Sequence, residues 1–73
     1  MQSIQSYSSL IKELRERLQL SQESLAQQLG VSFQTVSRWE RGLAKPSRLA
    51  LKVLQDRVEA MGERGSDLLT YFS

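Results

Sequence analysis

Neither cysteine nor histidine occurs in this 73-residue sequence. The chain therefore has no disulfide, no thiolate or imidazole ligand for zinc, and neither a Cys–His pair nor a Ser–His–Asp triad. Eight carboxylates remain, but no two of them form an evident acid–base pair. We expect no enzymatic activity, no metal site and no cofactor.

Long apolar runs are also missing. No run approaches the ~20 residues that cross a bilayer, and Met1–Gln5 lacks the basic start and apolar core of a signal peptide. A cytoplasmic protein without a membrane partner is expected. Its length fits one domain at most. We predict a single domain over 1–73, with a core of about 7–61 and a short C-terminal helix or tail at 62–73.

Basic residues are concentrated in one part of the chain. Residues 34–52 carry five bases and one acid, a net charge of +4, whereas the other residues carry five bases and seven acids. The members of the basic segment are Arg38, Arg41, Lys45, Arg48 and Lys52. A basic segment on a near-neutral body favours a polyanionic partner, although a solvated basic surface would give the same count.

Apolar residues recur at helical spacing nearly throughout, and four breaks divide them into short helices. The first helix is predicted from Ser6 or Ser8 to about Leu18. The next three are predicted at 22–29, 33–41 and 48–61, each preceded by a serine N-cap and followed by a glycine. The caps are Ser21, Ser32 and Ser47, and the glycines are Gly30, Gly42 and Gly62. Ser66 is a candidate cap for a last helix at 67–72.

The second and third helices form one pattern, QESLAQQLGVSFQTVSRWER, over residues 22–41. Ala26 is small where two helices cross, and Gly30 permits a sharp turn between them. An apolar set is predicted to point inward and to fix the angle between the helices: Leu25, Leu29, Val31, Val36 and Trp39. Trp39 is interpreted as a core residue rather than a base-stacking one.

The opposite face of the third helix carries donors and cations without a carboxylate. These side chains follow the spacing i, i+3, i+4 and i+7: Gln34, Ser37, Arg38 and Arg41. Arginine can bond two acceptors on a guanine edge and glutamine can pair with adenine. A protruding helix with such a face suits the major groove of DNA, although surface helices in general have a polar face.

Residues 10–54 resemble the phage Cro/repressor-type helix-turn-helix family, also called the XRE family. The matching run is LRERLQLSQESLAQQLGVSFQTVSRWERGLAKPS, and its most specific parts are SQESLAQQLGVS and SRWERG with the following Pro46. The resemblance implies an all-α, compact four- to five-helix, lambda-repressor-like fold. It also implies binding to double-stranded operator DNA, usually palindromic and usually as a homodimer.

The resemblance also assigns roles to individual positions. Base edges would be contacted by Phe33, Gln34, Ser37 and Arg38. Phosphates would be contacted by Gln22, Ser32, Arg41 and Lys45. A structural ion pair would join Arg15 of the first helix to Glu40 of the third. Glu40 lies beside Val36 on the helical wheel, where a partly buried carboxylate needs a partner.

Two positions depart from the family pattern. Gln19 stands where many relatives have glycine, so the turn after the first helix is expected to be strained or reshaped. Phe33 replaces a polar base-reading residue, and contact with a thymine methyl and packing on the second helix are both open. Tyr71 and Phe72 are either core residues or part of a dimer seam.

The sequence thus favours a sequence-specific transcriptional regulator, in particular a repressor, that associates with the nucleoid through DNA. An antitoxin that binds its own operator and a toxin through 62–73 or the fourth helix is an alternative. A protein-interaction module without DNA binding is another, and an enzyme is the least favoured.

Overall fold

The computed structural model of the protein describes residues 7–72, which form five helices and no strand. The four α-helices are α1 (Tyr7–Arg17), α2 (Gln22–Leu29), α3 (Phe33–Glu40) and α4 (Arg48–Ala60). A 3₁₀ helix follows at Gly62–Phe72. The predicted all-α fold of four to five helices is confirmed.

Serine side chains begin three of the helices, as predicted. Each N-cap has extended backbone angles, and its hydroxyl oxygen accepts a hydrogen bond from the backbone N–H three residues later. The pairs are Ser21 with Ser24 at 3.0 Å, Ser32 with Thr35 at 3.1 Å, and Ser47 with Ala50 at 3.1 Å. The second helix ends at Leu29 as predicted, whereas α3 and α4 each end one residue earlier than predicted, because Arg41 and Met61 are C-caps rather than helical residues.

The core collects apolar side chains from every helix. Its buried members are Leu10, Ile11, Leu14, Leu25, Ala26, Val36, Trp39, Ala50, Leu54, Val58 and Leu68. Trp39 is 4% exposed, so its predicted place in the core is confirmed. Leu29 and Val31 are partly buried at its edge, as are Tyr71 and Phe72. Leu68 brings the 3₁₀ helix into the core, which therefore extends past Met61.

The turn between α1 and α2 contains an unusual backbone conformation. Gln19 has φ of 58°, in the left-handed region that glycine adopts most easily. Its N–H bonds the Glu16 carbonyl oxygen at 3.1 Å, and the Leu20 N–H bonds the Arg15 carbonyl oxygen at 2.9 Å. The turn thus keeps its hydrogen bonds and places a non-glycine residue in a strained region.

The last helix differs from the prediction in its start and its type. It begins at Gly62 rather than after Ser66, and the expected cap is wrong because the Ser66 hydroxyl donates to the Glu63 carbonyl oxygen at 3.1 Å. Gly65 is buried within it, and a Cβ at this position would lie 2.7 Å from the Val58 carbonyl oxygen. The close approach to α4 therefore requires glycine inside a helix, where a sequence pattern indicates a break.

Candidate nucleic-acid interface

A three-residue turn joins α2 to α3. Gly30 has φ of 73° and ψ of 29°, and the Val31 N–H donates to the Ala26 carbonyl oxygen at 3.0 Å. This left-handed C-cap satisfies carbonyl groups that the end of α2 would otherwise leave unpaired. Ser32 then caps α3 directly. Both helix ends are fixed by local hydrogen bonds, so the angle between the helices is set close to the turn.

The two faces of α3 differ sharply. Val36 is fully buried and Trp39 nearly so. Gln34 and Arg38 are exposed on the other side, followed by exposed Arg41 at the C-cap. Ser37 is half-buried between the faces. The predicted stripe therefore has its donors outward, with Ser37 at its margin.

The exposed cations near α3 form no ion pair within the described residues, 7–72. Arg38, Arg41 and Lys45 are exposed, and the ion pairs formed within residues 7–72 involve other residues. The one carboxylate of α3, Glu40, is 5% exposed and faces inward. The outward surface of α3 and the following loop is therefore positive, as contact with phosphates requires.

Two residues at the start of α3 have mixed surroundings. Phe33 is 46% exposed and lines a depression together with Ala26 and Val31. Contact with a thymine methyl and packing on α2 therefore both stay open for Phe33. The Ser32 hydroxyl caps α3 and shares a 2.8 Å hydrogen bond with the Thr35 hydroxyl. When Thr35 donates that bond, the Ser32 proton is available to a phosphate.

Arg15 and Glu40 lie in contact between α1 and α3. Arg15 Nε donates to Glu40 Oε2 at 2.8 Å, and Nη2 donates to Oε1 at 3.2 Å. The third nitrogen, Nη1, donates to the Leu20 carbonyl oxygen at 3.1 Å. The hydrogen bond to Glu40 raises the pKa of Arg15 above its usual value. This two-pronged pair fixes the C-terminal end of α3 against α1.

Gln22 joins the same carboxylate from α2. Its Nε2 donates to Glu40 Oε1 at 3.0 Å, and the residue is half-buried. The resemblance gave Gln22 a phosphate contact but not this bond, which links residues 18 positions apart. One carboxylate therefore connects three helices, and no local spacing in the sequence indicates it.

The family model described as helix-turn-helix matches residues 11–56. The chain belongs to the helix-turn-helix family. The match runs from within α1 to within α4 and confirms the resemblance to the XRE-type helix-turn-helix family. The helix-turn-helix itself is α2, the turn at Gly30 and α3.

Two relatives share the helix-turn-helix stretch. The type II methyltransferase M.SsoII of Shigella sonnei is 47% identical over 49 residues, which are 63% of this chain and 13% of that protein. An HTH-type transcriptional regulatory protein of Methanoculleus marisnigri is 36% identical over 62 residues, 75% of this chain and 20% of that protein. The chain thus spans a fifth or less of these relatives. No solved structure matches it.

The acidic residues of the helix-turn-helix protein do not assemble into a metal site in the part that the structure describes, 7–72. None of the helices in the same range has the length and apolarity to cross a membrane. Three of these acids, Glu13, Glu40 and Asp67, instead form ion pairs with Arg15 or Arg17. The positive face of α3 is therefore the best-defined candidate site in that range.

A second cluster lies around Arg17 and joins the 3₁₀ helix to α1. Arg17 Nη1 and Nη2 donate to the two carboxylate oxygens of Asp67 at 2.7 and 2.9 Å, and Nη1 also donates to the Arg64 carbonyl oxygen at 2.8 Å. Arg17 Nε donates to Glu13 Oε2 at 3.0 Å, an i,i+4 pair within α1. The bond from Arg17 lowers the pKa of Asp67 below its usual value. Residues 62–72 are thus held by side-chain bonds as well as by Leu68.

Proposed function

We propose that this chain is a sequence-specific, double-stranded DNA-binding transcriptional regulator that acts as a repressor and reads the major groove with α3. The supporting observation is the outward face of α3, where Gln34 and Arg38 are exposed and unaccompanied by a carboxylate. That helix is backed by buried Val36 and Trp39, so its donors are presented from a rigid support.

The proposed roles follow from exposure and chemistry. Gln34 and Arg38 have the side chains that pair bidentately with adenine and guanine, and Phe33 and Ser37 flank them at the edge of the same surface. Phosphates would be bound around them by Gln22, Ser32, Arg41 and Lys45. Such contacts fix the register of the protein on the duplex without reading its sequence. The protein would act by binding alone, in the cytoplasm at the nucleoid.

A homodimer on a palindromic operator is part of this proposal. A single α3 of eight residues offers few base contacts, and two copies would place their recognition helices about 34–36 Å apart in successive major grooves. Doubling the contacts raises both affinity and specificity. The relative named as a transcriptional regulatory protein supports the regulatory role.

The decisive experiment is selection of bound duplexes from a random pool at stated salt. We expect a palindromic consensus with half-sites about 10 bp apart, centre to centre. The same selection with Gln34→Ala and Arg38→Ala should lose preference at separate base pairs. A pool that shows no enrichment over many rounds would refute sequence-specific binding, and enrichment of one asymmetric half-site would refute the dimer.

A further inference from the structure

The Glu40 carboxylate accepts three side-chain N–H bonds, two from Arg15 and one from Gln22. The two bonds from Arg15 are sufficient for the ion pair. The third costs the chain conformational freedom, because a glutamine side chain with three rotatable bonds is held in one arrangement. The bond therefore has a consequence for Gln22 itself as well as for Glu40.

The bond to Glu40 leaves one N–H donor of the Gln22 carboxamide available. A carboxamide has two N–H donors and one acceptor oxygen, whereas an ionised carboxylate accepts only. Its nitrogen must therefore face Glu40, and one N–H is used there. The second N–H belongs to the same rigid, planar group. Gln22 is only half-buried as a residue, although its carboxamide bonds the buried carboxylate of Glu40.

We propose that Glu40 is a positioning residue for DNA binding: it holds the Gln22 carboxamide so that its second N–H is directed to a DNA phosphate. This inference rests on the proposed function. Pre-ordering a long side chain in the free protein lowers the entropy lost on binding. The ion pair between Arg15 of α1 and Glu40 of α3 then serves phosphate recognition as well as folding.

The bond can be observed directly in the parent protein. Glutamine side chains labelled with ¹⁵N give a pair of amide proton signals each, and the Gln22 pair is identified by its loss in Gln22→Met. A duplex of mixed sequence at low salt suffices, because phosphate contacts do not depend on sequence. We expect one Gln22 proton to keep its position on binding and the other to shift. If neither shifts, or if both shift as the Glu40 bond breaks, the inference is refuted.

Affinity measurements test whether Glu40 acts through Gln22. Gln22→Met keeps the length of the side chain and removes its donors, and we expect about five- to tenfold weaker binding to the same duplex. Gln28→Met, at an exposed glutamine of the same helix, should change affinity less than about twofold. Equal losses in the two variants would contradict the phosphate contact.

The coupling is measured in a background without the ion pair. Arg15→Met combined with Glu40→Met replaces the pair by apolar side chains of similar length, a change that buried ion pairs often tolerate. There, Gln22→Met should cost less than about twofold, since Gln22 is no longer positioned. If Gln22→Met weakens binding as much in this background as in the parent, the positioning role of Glu40 is refuted and the proposed function is not. If the background does not fold, the measurement on labelled glutamine side chains decides. A parent that binds no duplex refutes the proposed function as well.

Discussion

Replacing Gln19 by glycine should stabilise the protein. Gln19 has φ of 58°, and a residue with a Cβ pays about 1–2 kcal/mol to adopt this left-handed conformation. Its side chain is exposed, so its removal costs little packing. The backbone bonds of the turn, from Gln19 to Glu16 and from Leu20 to Arg15, are kept in the variant.

The stabilisation expected for Gln19→Gly is partly offset by an effect on the unfolded state. Glycine has more conformations to lose on folding, which costs about 0.5–1 kcal/mol. The net stabilisation is therefore about 0.5–1 kcal/mol. For a domain of this size, 1 kcal/mol shifts the melting temperature by about 4–8 °C, so the Tm of Gln19→Gly should rise by about 2–8 °C.

Thermal unfolding followed by circular dichroism at 222 nm, about the minimum of the helical signal, measures this change. Gln27→Gly is the matched control, because Gln27 is an exposed glutamine inside α2 where glycine costs about 1 kcal/mol. The two variants should move the Tm in opposite directions. If Gln19→Gly lowers the Tm as Gln27→Gly does, the turn is not strained at Gln19 and the argument is wrong.

Three further predictions concern the proposed DNA-binding surface of the protein and its 3₁₀ helix. Arg38→Ala should cost about 1–3 kcal/mol on the selected site and relax the preference at one base pair; an unchanged consensus would contradict base reading by Arg38. Lys45→Ala should weaken binding to all duplexes alike and reduce the slope of log affinity against log salt by about one, whereas Lys12→Ala, exposed on α1, should leave that slope unchanged. The pKa of Asp67 is lowered in the folded state by Arg17, so the stability from this pair is present above the unfolded pKa of about 3.9 and is lost as pH falls through the lower folded pKa. Asp67→Asn should remove this part of the acid dependence in urea titrations between neutral pH and about pH 2, and an unchanged dependence would show that the pair contributes nothing to stability.

The starts of α2, α3 and α4 were predictable because their causes are local. A serine cap acts on the backbone N–H three residues ahead, as Ser21, Ser32 and Ser47 do. The inward face of α3 was predictable for the same reason, since helical spacing alone groups Val36 with Trp39. The strain at Gln19 could be anticipated once the family pattern indicated glycine at that position.

Contacts between distant residues were not predictable from spacing. The bond from Gln22 to Glu40 spans 18 positions and that from Arg17 to Asp67 spans 50, so each depends on how whole helices pack. The Arg15–Glu40 contact was anticipated through the family resemblance alone. The start of the 3₁₀ helix was predicted too late, because Ser66 was interpreted as its cap, and the close approach of Gly65 to Val58 is a tertiary contact that local spacing does not indicate.

The short length of α3 explains why its inward face matters to its proposed function. An isolated helix of eight residues is well below the ~12–15 residues at which helices become marginally stable in water. Its shape and direction must therefore come from Val36, Trp39 and Glu40, which are buried on one side. The outward residues Gln34 and Arg38 need contribute nothing to folding. Under the proposed function, this division would let the outward residues vary with the DNA sequence that is read, whereas truncation of the inward three would alter both the stability of the domain and the orientation of α3.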